Sequence, residues 1–256
     1  MSQLLWVIPL GLVIGLAVGS LGAGGSILTV PALVYLLGQS PQAATTGSLI
    51  IVGLSALVGA LPHHRAGNVR WAKGAVFGVI GIGGSLLGSF LSAGIASHVL
   101  LSAFSGLMFV VAFLMWRRQR RSGAAAAVVE TSRVVPLVVT ATGVGFLTGF
   151  FGVGGGFAVV PALVLALGLP MKAAVGTSLF VIALNTMTAL AARAGSGLAI
   201  DWPVIGAFAV VATVGSLLGQ KVTTRVSPKA LAYAFVAMTL AVGAYMAAMN
   251  VPLLFA

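Results

Sequence analysis

The chain has 256 residues, of which 60% are hydrophobic and only 6% are charged. A soluble domain carries about 25% charged residues, so this chain cannot cover a water-facing surface and is predicted to lie in a lipid bilayer. Its net charge of +11 indicates membrane orientation and not a nucleic-acid partner, because Lys and Arg collect in the cytoplasmic loops of membrane proteins. The absence of cysteine excludes disulfides, thiolate metal sites and a catalytic thiol.

The chain begins with MSQLLWVIPL, which has no basic region ahead of its apolar residues. A cleaved signal peptide has such a region, so this start is predicted to be the first membrane segment. The sequence predicts an all-α polytopic membrane protein, with apolar segments at about 4–21, 25–38, 42–61, 72–92, 98–116, 134–151, 155–168, 172–191, 203–219 and 230–249.

A polar, basic stretch of low complexity, residues 117–133, separates the fifth segment from the sixth. It is predicted to be a cytoplasmic linker between a first transmembrane repeat, 1–116, and a second, 134–256. The two halves match at an offset of 130 and, after one inserted residue, 131. A match this long and nearly gap-free predicts an internal duplication. The paired features are the glycines at 15, 19, 22, 24 and 25 with those at 145, 149, 152, 154 and 155, VPAL at Pro31 with VPAL at Pro161, and GSLLG at 84–88 with GSLLG at 215–219.

The thirteen basic residues indicate whether the repeats are parallel or inverted. If each half crosses the membrane an odd number of times, twelve of them share one side and only Arg193 lies opposite. If each half crosses the membrane an even number of times, nine basic residues lie on one side and four on the other. The positive-inside rule therefore favours inverted repeats in the inner (plasma) membrane, with both termini external. The twelve are Arg65, Arg70, Lys73, Arg117, Arg118, Arg120, Arg121, Arg133, Lys172, Lys221, Arg225 and Lys229.

Each half begins with short segments interrupted by glycine. A helix of fourteen residues spans about 21 Å, less than the ~30 Å hydrocarbon core, so these segments either cross as a thin tilted pair or form a re-entrant hairpin. A helix that begins inside the membrane exposes free N–H groups with partial positive charge. The motifs GAGGS and GVGGG are therefore predicted to be two anion cradles, before helices that begin near Ser26 and Gly156. The alternative is that the glycines serve close helix packing, with Pro31 and Pro161 as structural kinks.

The third segment of each half adds hydroxyl groups, which can donate to an anion without the cost of a buried charge. These are Thr46 and Ser48 in the first half and Thr177 and Ser178 in the second. Asn185 is the one amide deep in an apolar segment. The alternative for the hydroxyls is bonding to carbonyls of their own helix, and for Asn185 an interhelical hydrogen bond.

Acidic side chains are nearly absent, since Glu130 lies in the linker and Asp201 near a membrane edge. This argues against a divalent-cation carrier, and no metal or cofactor is predicted. The histidines at 63, 64 and 98 lie near segment ends, which favours an interfacial location. A proton-coupling role for the pair His63 and His64 is the alternative.

With these motifs in view, the chain resembles the sulfite exporter TauE/SafE family of membrane proteins over nearly its whole length. The resemblance is carried by GSLGAGGSILTVPAL with ATTGSL, and by GFFGVGGGFAVVPAL with AVGTSL. It implies a secondary transporter, not an enzyme, that exports sulfite, sulfoacetate or other sulfonates by alternating access. Another small carboxylate or oxyanion is the alternative cargo, and a membrane scaffold without transport is the alternative class.

The predicted substrate-binding residues combine the glycine motifs, the hydroxyls and the buried amide. The expected partners are a small anion and the bilayer, with no nucleic acid, and the oligomeric state stays open, a homo-oligomer included. The set is Gly22, Gly24, Gly25, Ser26, Thr46, Ser48, Gly152, Gly154, Gly155, Gly156, Thr177, Ser178 and Asn185, with Pro31 and Pro161 as structural residues.

The charge distribution generates a topology test, which the absence of native cysteine simplifies. Single cysteines replace Ser122, Ser196 and Ser227, and an impermeant maleimide is applied to each side of oriented vesicles. Positions 122 and 227 are expected to react from the cytoplasmic side and position 196 from outside. Labelling of position 227 from outside would contradict the inverted arrangement.

Overall fold

The computed structural model describes residues 2–22, 25–92, 95, 97–121, 134–151, 156–193 and 201–252. Within these ranges all regular structure is helical, which confirms the all-α prediction, and each of the ten apolar segments contains a helix. A π-helical turn, Ala32–Leu36, continues the second helix. The helices are α1 (Ser2–Leu21), α2 (Gly25–Pro31), α3 (Pro41–Arg65), α4 (Trp71–Ser92), α5 (Ser97–Arg121), α6 (Val134–Phe151), α7 (Gly156–Leu165), α8 (Met171–Arg193), α9 (Trp202–Arg225) and α10 (Pro228–Asn250).

The described helices form a multi-pass membrane protein. Seven of them are long and apolar enough to cross a bilayer, namely α3, α4, α5, α6, α8, α9 and α10, whereas α7 and the described apolar part of α1, Trp6–Leu21, are shorter. Large apolar side chains face outward, with Phe90 82% and Leu86 68% exposed. Contiguous apolar surface of this kind is unfavourable in water and is suited to lipid.

The helix α5 extends further than the sequence indicates. It continues to Arg121, so residues 117–121 of the predicted linker are helical. Residues 122–133 lie outside the described part of the chain. The division into repeats 1–116 and 134–256 stays a prediction.

The two halves pack against each other through reciprocal backbone contacts. α1 packs along α9, and α6, the counterpart of α1, packs along α4, the counterpart of α9. At each contact a glycine lies so close to the opposing backbone that a Cβ there would collide with it, and small residues are what permit this approach. The matching pairs are Gly15 with Ala212 and Gly145 with Gly81, Gly19 with Ser216 and Gly149 with Ser85, and Gly84 with Thr142 and Gly215 with Leu12.

The counterpart helices α3 and α8 pack together in opposite directions. A Cβ on Gly53 of α3 would lie 2.8 Å from Thr186 Oγ1, and one on Gly176 of α8 would lie 3.1 Å from His63 Cβ. As the residue number rises along α3, the number of the neighbour on α8 therefore falls. Antiparallel packing of these two helices is what an inverted repeat would require, and the inverted repeat and its orientation in the membrane stay predictions.

The short helices α2 and α7 lie against α3 and α8, and they also contact each other. Every residue from Gly156 to Val164 of α7 is buried, so this helix belongs to the core and not to the lipid-facing surface. Phe157 of α7 packs edge-to-face on Phe104 of α5 at a centroid distance of 4.7 Å. Pro31 is the last residue of α2, and Pro161 lies inside α7.

Each VPAL motif leads to the same helix end. The chain turns at Gly38 and Gly168, whose φ angles of 63° and 67° lie in the left-handed region that favours glycine. Amide groups on either side of each glycine return to carbonyls at equivalent positions. These bonds are Leu37 N to Ala32 O (3.2 Å) with Gln39 N to Leu33 O (3.0 Å), and Leu167 N to Ala162 O (3.4 Å) with Leu169 N to Leu163 O (3.0 Å).

Adjacent glycines of α4 test the backbone contacts. A Cβ on Gly84 would collide with the Thr142 carbonyl, whereas nothing lies within 4 Å of one on Gly83. We expect Gly84→Ala to destabilise the protein by about 1–3 kcal/mol through overpacking. Gly83→Ala should be neutral or stabilising by up to about 1 kcal/mol, because alanine favours helix. Thermal unfolding in detergent measures both, and equal effects would contradict the contact.

Candidate functional site

The glycine break of the first half lies at the C-terminal end of α1. Gly22 follows the last residue of α1 and has a φ of 69°, in the left-handed region. A Cβ on this buried glycine would collide with Ser178 Oγ and would lie 2.9 Å from the Val175 carbonyl oxygen. Neither the backbone angle nor the space admits a side chain, which explains the glycine.

The end of α1 is capped by side chains from other helices. The last turn of a helix leaves carbonyl oxygens without intrahelical partners, and inside a bundle they need other donors. Side chains of α3, α9 and α8 supply them, and we call these three side chains together with Gly22 the capping layer. The contacts are His63 Nε2 to Gly19 O (2.9 Å), Thr223 Oγ1 to Ser20 O (3.1 Å) and Ser178 Oγ to Gly22 O (2.9 Å). Both hydroxyls also have an acceptor in their own helix, Gly219 O for Thr223 (3.1 Å) and Val175 O for Ser178 (2.8 Å), so each single proton is shared between the two carbonyls.

Thr177, beside the capping layer, holds the loop that precedes α4. Its buried hydroxyl accepts the backbone N–H of Arg70 at 3.0 Å. Gly176 lies so close to this loop that a Cβ would come within 2.5 Å of the Asn68 carbonyl oxygen. The two α8 hydroxyls therefore bond to backbone of the first half, with Thr177 as acceptor and Ser178 as donor.

The predicted hydroxyls of the first half lie near the start of α3. Thr46 and Ser48 are both buried, and Ser48 Oγ donates to the Thr45 carbonyl at 2.8 Å. Gly47 between them packs against Ile205, near the start of α9. This bond of Ser48 lies within its own helix, which is the alternative that the sequence leaves open for the hydroxyls.

The structure does not bring these two groups of hydroxyls together. A Cβ on Gly59 of α3 would lie 3.7 Å from Leu179, the residue that follows Ser178. Gly59 comes eleven residues after Ser48 on the same helix, which corresponds to about 16 Å along its axis. A small anion in contact with Ser178 is therefore out of reach of Ser48.

Asn185 lies on α8 at a height between the two groups of hydroxyls, one at Thr46 and Ser48 and the other at Thr177 and Ser178. Its Oδ1 is buried, and no hydrogen-bond partner reaches it among the described residues. A buried polar atom in this state is costly, so it marks a place where a ligand or a rearrangement would be favourable. Ser55, its repeat counterpart, donates to the Ile51 carbonyl of its own helix at 2.7 Å.

Several predicted site residues lie outside the described part of the chain. These are Gly24, Gly152, Gly154 and Gly155, and the side chain of Ser26 is also not described. Gly25 and Gly156 are the first residues of α2 and α7, as the cradle hypothesis requires. Substrate contact by any member of the set stays a prediction.

The histidines of α3 have different environments, and sequence reasoning missed this. His64 is exposed and its Nδ1 accepts the Trp71 indole N–H at 3.0 Å, whereas His63 is fully buried. The burial of His63 could have been inferred from the helical spacing of small residues on α3. Ser55, Ala56, Gly59 and Ala60 form one buried face, and His63 continues that face.

Comparison with known proteins agrees with this architecture. A family model described as "Sulfite exporter TauE/SafE" matches residues 7–246. A "Probable membrane transporter protein" of Xylella fastidiosa is 33% identical over 231 residues, 88% of this chain and 87% of that protein. The "Probable membrane transporter protein YunE" of Bacillus subtilis is 30% identical over 248 residues, 88% of this chain and 90% of its own length. No solved structure matches the chain.

The capping layer predicts unequal effects of two equivalent substitutions. Ser178→Ala removes both a bond within its own helix and the donor that reaches the buried Gly22 carbonyl, so it should cost about 1–3 kcal/mol of unfolding free energy. Ser48→Ala, at the counterpart position, removes a bond within its own helix and should cost less than about 1 kcal/mol. Thermal unfolding of both variants in the same detergent measures the difference. A larger loss for Ser48→Ala would contradict the capping assignment.

Proposed function

The chain belongs to the sulfite exporter TauE/SafE family and is a membrane transporter, and from this premise we propose that it exports small sulfur-containing anions by alternating access. Sulfite, sulfoacetate and other sulfonates are the proposed cargo. The family and the names of the relatives indicate transport and not catalysis. The proposed orientation places the linker in the cytoplasm and both termini outside the inner membrane.

The observation that carries the proposal is the break of α1 at Gly22, buried within the bundle. Backbone that leaves the helix at membrane depth is tolerated where protein or a water-filled path surrounds it. Broken helices in the first part of each inverted repeat are typical of secondary transporters that bind substrate near the repeat interface. A scaffold protein would gain nothing from the cost of capping such a break.

The charges of the chain favour an anion over a cation. The whole sequence has two acidic residues, Glu130 and Asp201, and Asp201 is exposed and caps the start of α9 through the Val204 N–H at 3.3 Å. Among the described residues no three His, Cys, Asp or Glu side chains come together as a metal site would need. Hydroxyls and backbone N–H groups remain, and they suit an anion.

The proposed path has two levels because the hydroxyl groups are separated. An anion meets Thr46 and Ser48 at one level and the capping layer at the other, with Asn185 between them. In one state Ser178 donates to the Gly22 carbonyl, and in the other it is released to donate to the anion. Because the contacts between the halves are reciprocal, exchange of their packing opens the opposite side.

A second cargo class is a small carboxylate or another oxyanion. Hydroxyl and backbone donors bind oxygen atoms of any such anion, so these groups do not by themselves select sulfur. The names of the two relatives specify no substrate.

Flux through the purified protein in proteoliposomes tests the proposal. Efflux of labelled sulfite, sulfoacetate, acetate, phosphate and rubidium is compared with that from protein-free liposomes, which corrects for passive leak. Faster efflux of sulfite or sulfoacetate is expected, and the same anions should raise the unfolding temperature as RT ln(1 + [L]/Kd). Transport of rubidium with every anion inert would contradict the proposal.

A matched pair on α8 tests the path. In the proposed path Asn185 meets the anion through its Nδ2 donor, and its unmatched Oδ1 leaves the amide free to rotate for this. Asn185→Leu is therefore expected to weaken sulfonate binding roughly ten- to hundredfold, the worth of about 1.5–3 kcal/mol for a hydrogen bond to a charged ligand. Thr188→Val is the control, because Thr188 is exposed and donates to the Leu184 carbonyl of its own helix. Equal binding by both variants would place the path elsewhere.

A further inference from the structure

His63 is a buried titratable side chain that the proposed path does not yet use. The residue has 0% exposure, and its Nε2 lies 2.9 Å from the Gly19 carbonyl oxygen at the end of α1. Gly176 of α8 packs against the Cβ of His63, and the backbone carbonyl of His63 accepts the Asn68 N–H at 2.9 Å. The ring is therefore fixed between α1 and α8, in the same layer as Gly22 and Ser178.

The hydrogen bond to Gly19 determines the tautomer of the neutral ring. A carbonyl oxygen only accepts, so Nε2 must carry the proton and donate. The neutral ring then has a bare lone pair on Nδ1, and Nδ1 is buried without a hydrogen-bond partner among the described residues. An unmatched buried acceptor is unfavourable, and binding a proton would convert it into a donor.

Two features of the surroundings of His63 have opposite effects on whether Nδ1 binds a proton. The C-terminal end of α1 has negative partial charge, which favours the imidazolium, whereas burial disfavours any charge. The described part of α1 has no ionisable side chain, and no carboxylate lies at the adjoining ends of the other packed elements. The ionisable side chains at those ends are histidine or basic, and positive charge on them also disfavours protonation of His63. They are His64, Arg65, Arg70, Lys73, Lys172, Lys221 and Arg225.

A bound anion would change this balance. A negative charge in the capping layer stabilises the imidazolium directly, and the protonated Nδ1 can donate to it. The layer needs such a donor, because the single protons of the Thr223 and Ser178 hydroxyls already have carbonyl acceptors, at the end of α1 and in their own helices. A bound anion thus raises the affinity of His63 for a proton, and a bound proton raises the affinity of the layer for the anion.

We propose that His63 is a proton-binding site of the carrier, and that the anion crosses together with one proton held on Nδ1. The inference rests on the proposed function and adds its coupling ion. Nδ1 takes H⁺ from water on the side where the anion enters, and the ring charge of +1 offsets one negative charge of the cargo. On the other side the N–H bond breaks, H⁺ returns to water, and the ring is neutral again.

The protonation of His63 can be observed directly, since the chain has only three histidines. Protein labelled with ¹⁵N-histidine in nanodiscs is titrated from pH 8 to pH 5 with and without sulfoacetate, and His63→Gln assigns the signal. We expect the Nε2–H tautomer at high pH and a titration midpoint at least one unit higher with sulfoacetate, a tenfold linkage. A His63 signal that stays neutral throughout, with sulfoacetate bound, would overturn the proposal.

Transport separates this inference from the proposed function. Proteoliposomes that contain the pH dye pyranine receive a sulfoacetate gradient, and labelled anion and internal pH are followed together. His63→Gln keeps an amide donor for Gly19 but cannot hold the proton, so it should lose at least nine-tenths of the coupled proton flux. His64→Gln, at the exposed neighbour, should keep the wild-type proton-to-anion ratio.

The outcomes are distinct. Sulfoacetate flux without any proton movement in the wild type leaves the proposed function standing and overturns the role of His63. An unchanged ratio in His63→Gln overturns it as well. No flux of any anion overturns both. If His63→Gln does not fold, the wild-type ratio and the histidine titration still decide the question.

Discussion

A helix that ends inside a packed bundle leaves carbonyl oxygens without intrahelical partners, and the helices around the end of α1 are arranged to supply donors for them. α1 ends at Gly22, and its last carbonyls bond to side chains of α3, α8 and α9. Three helices from both halves must therefore converge on one point. The capping layer thus joins side chains of both halves to the end of α1.

Glycine makes this convergence possible because it removes the side chains that would hold the backbones apart. The contact of α1 with α9 and that of α6 with α4 use glycines at equivalent repeat positions, as in Gly15 and Gly145. A packed bilayer interior offers no hydrophobic gain for helix association, so close backbone contact has to supply the stability.

The donors of the capping layer explain why a proton and an anion belong together in the proposed mechanism. The single protons of the Ser178 and Thr223 hydroxyls already have carbonyl acceptors, so these groups are not free donors for cargo. A histidine that is neutral when the site is empty and charged when it is filled avoids a permanent buried charge. His63 satisfies the geometric conditions, since its Nε2 donates to α1 and its Nδ1 is unmatched.

The sequence by itself determined the membrane class, the ten helical segments and the family, because apolar segments, glycine spacing and repeated motifs are local or linear properties. The duplication that it predicts stays a prediction. Only the tertiary structure decided what each polar group bonds to. Ser178 and Gly22 are 156 residues apart, and His63 and Gly19 are 44 apart. Likewise Gly83 and Gly84 look alike in the sequence, but only Gly84 touches another backbone. Such partners depend on how distant helices pack, which no local pattern encodes.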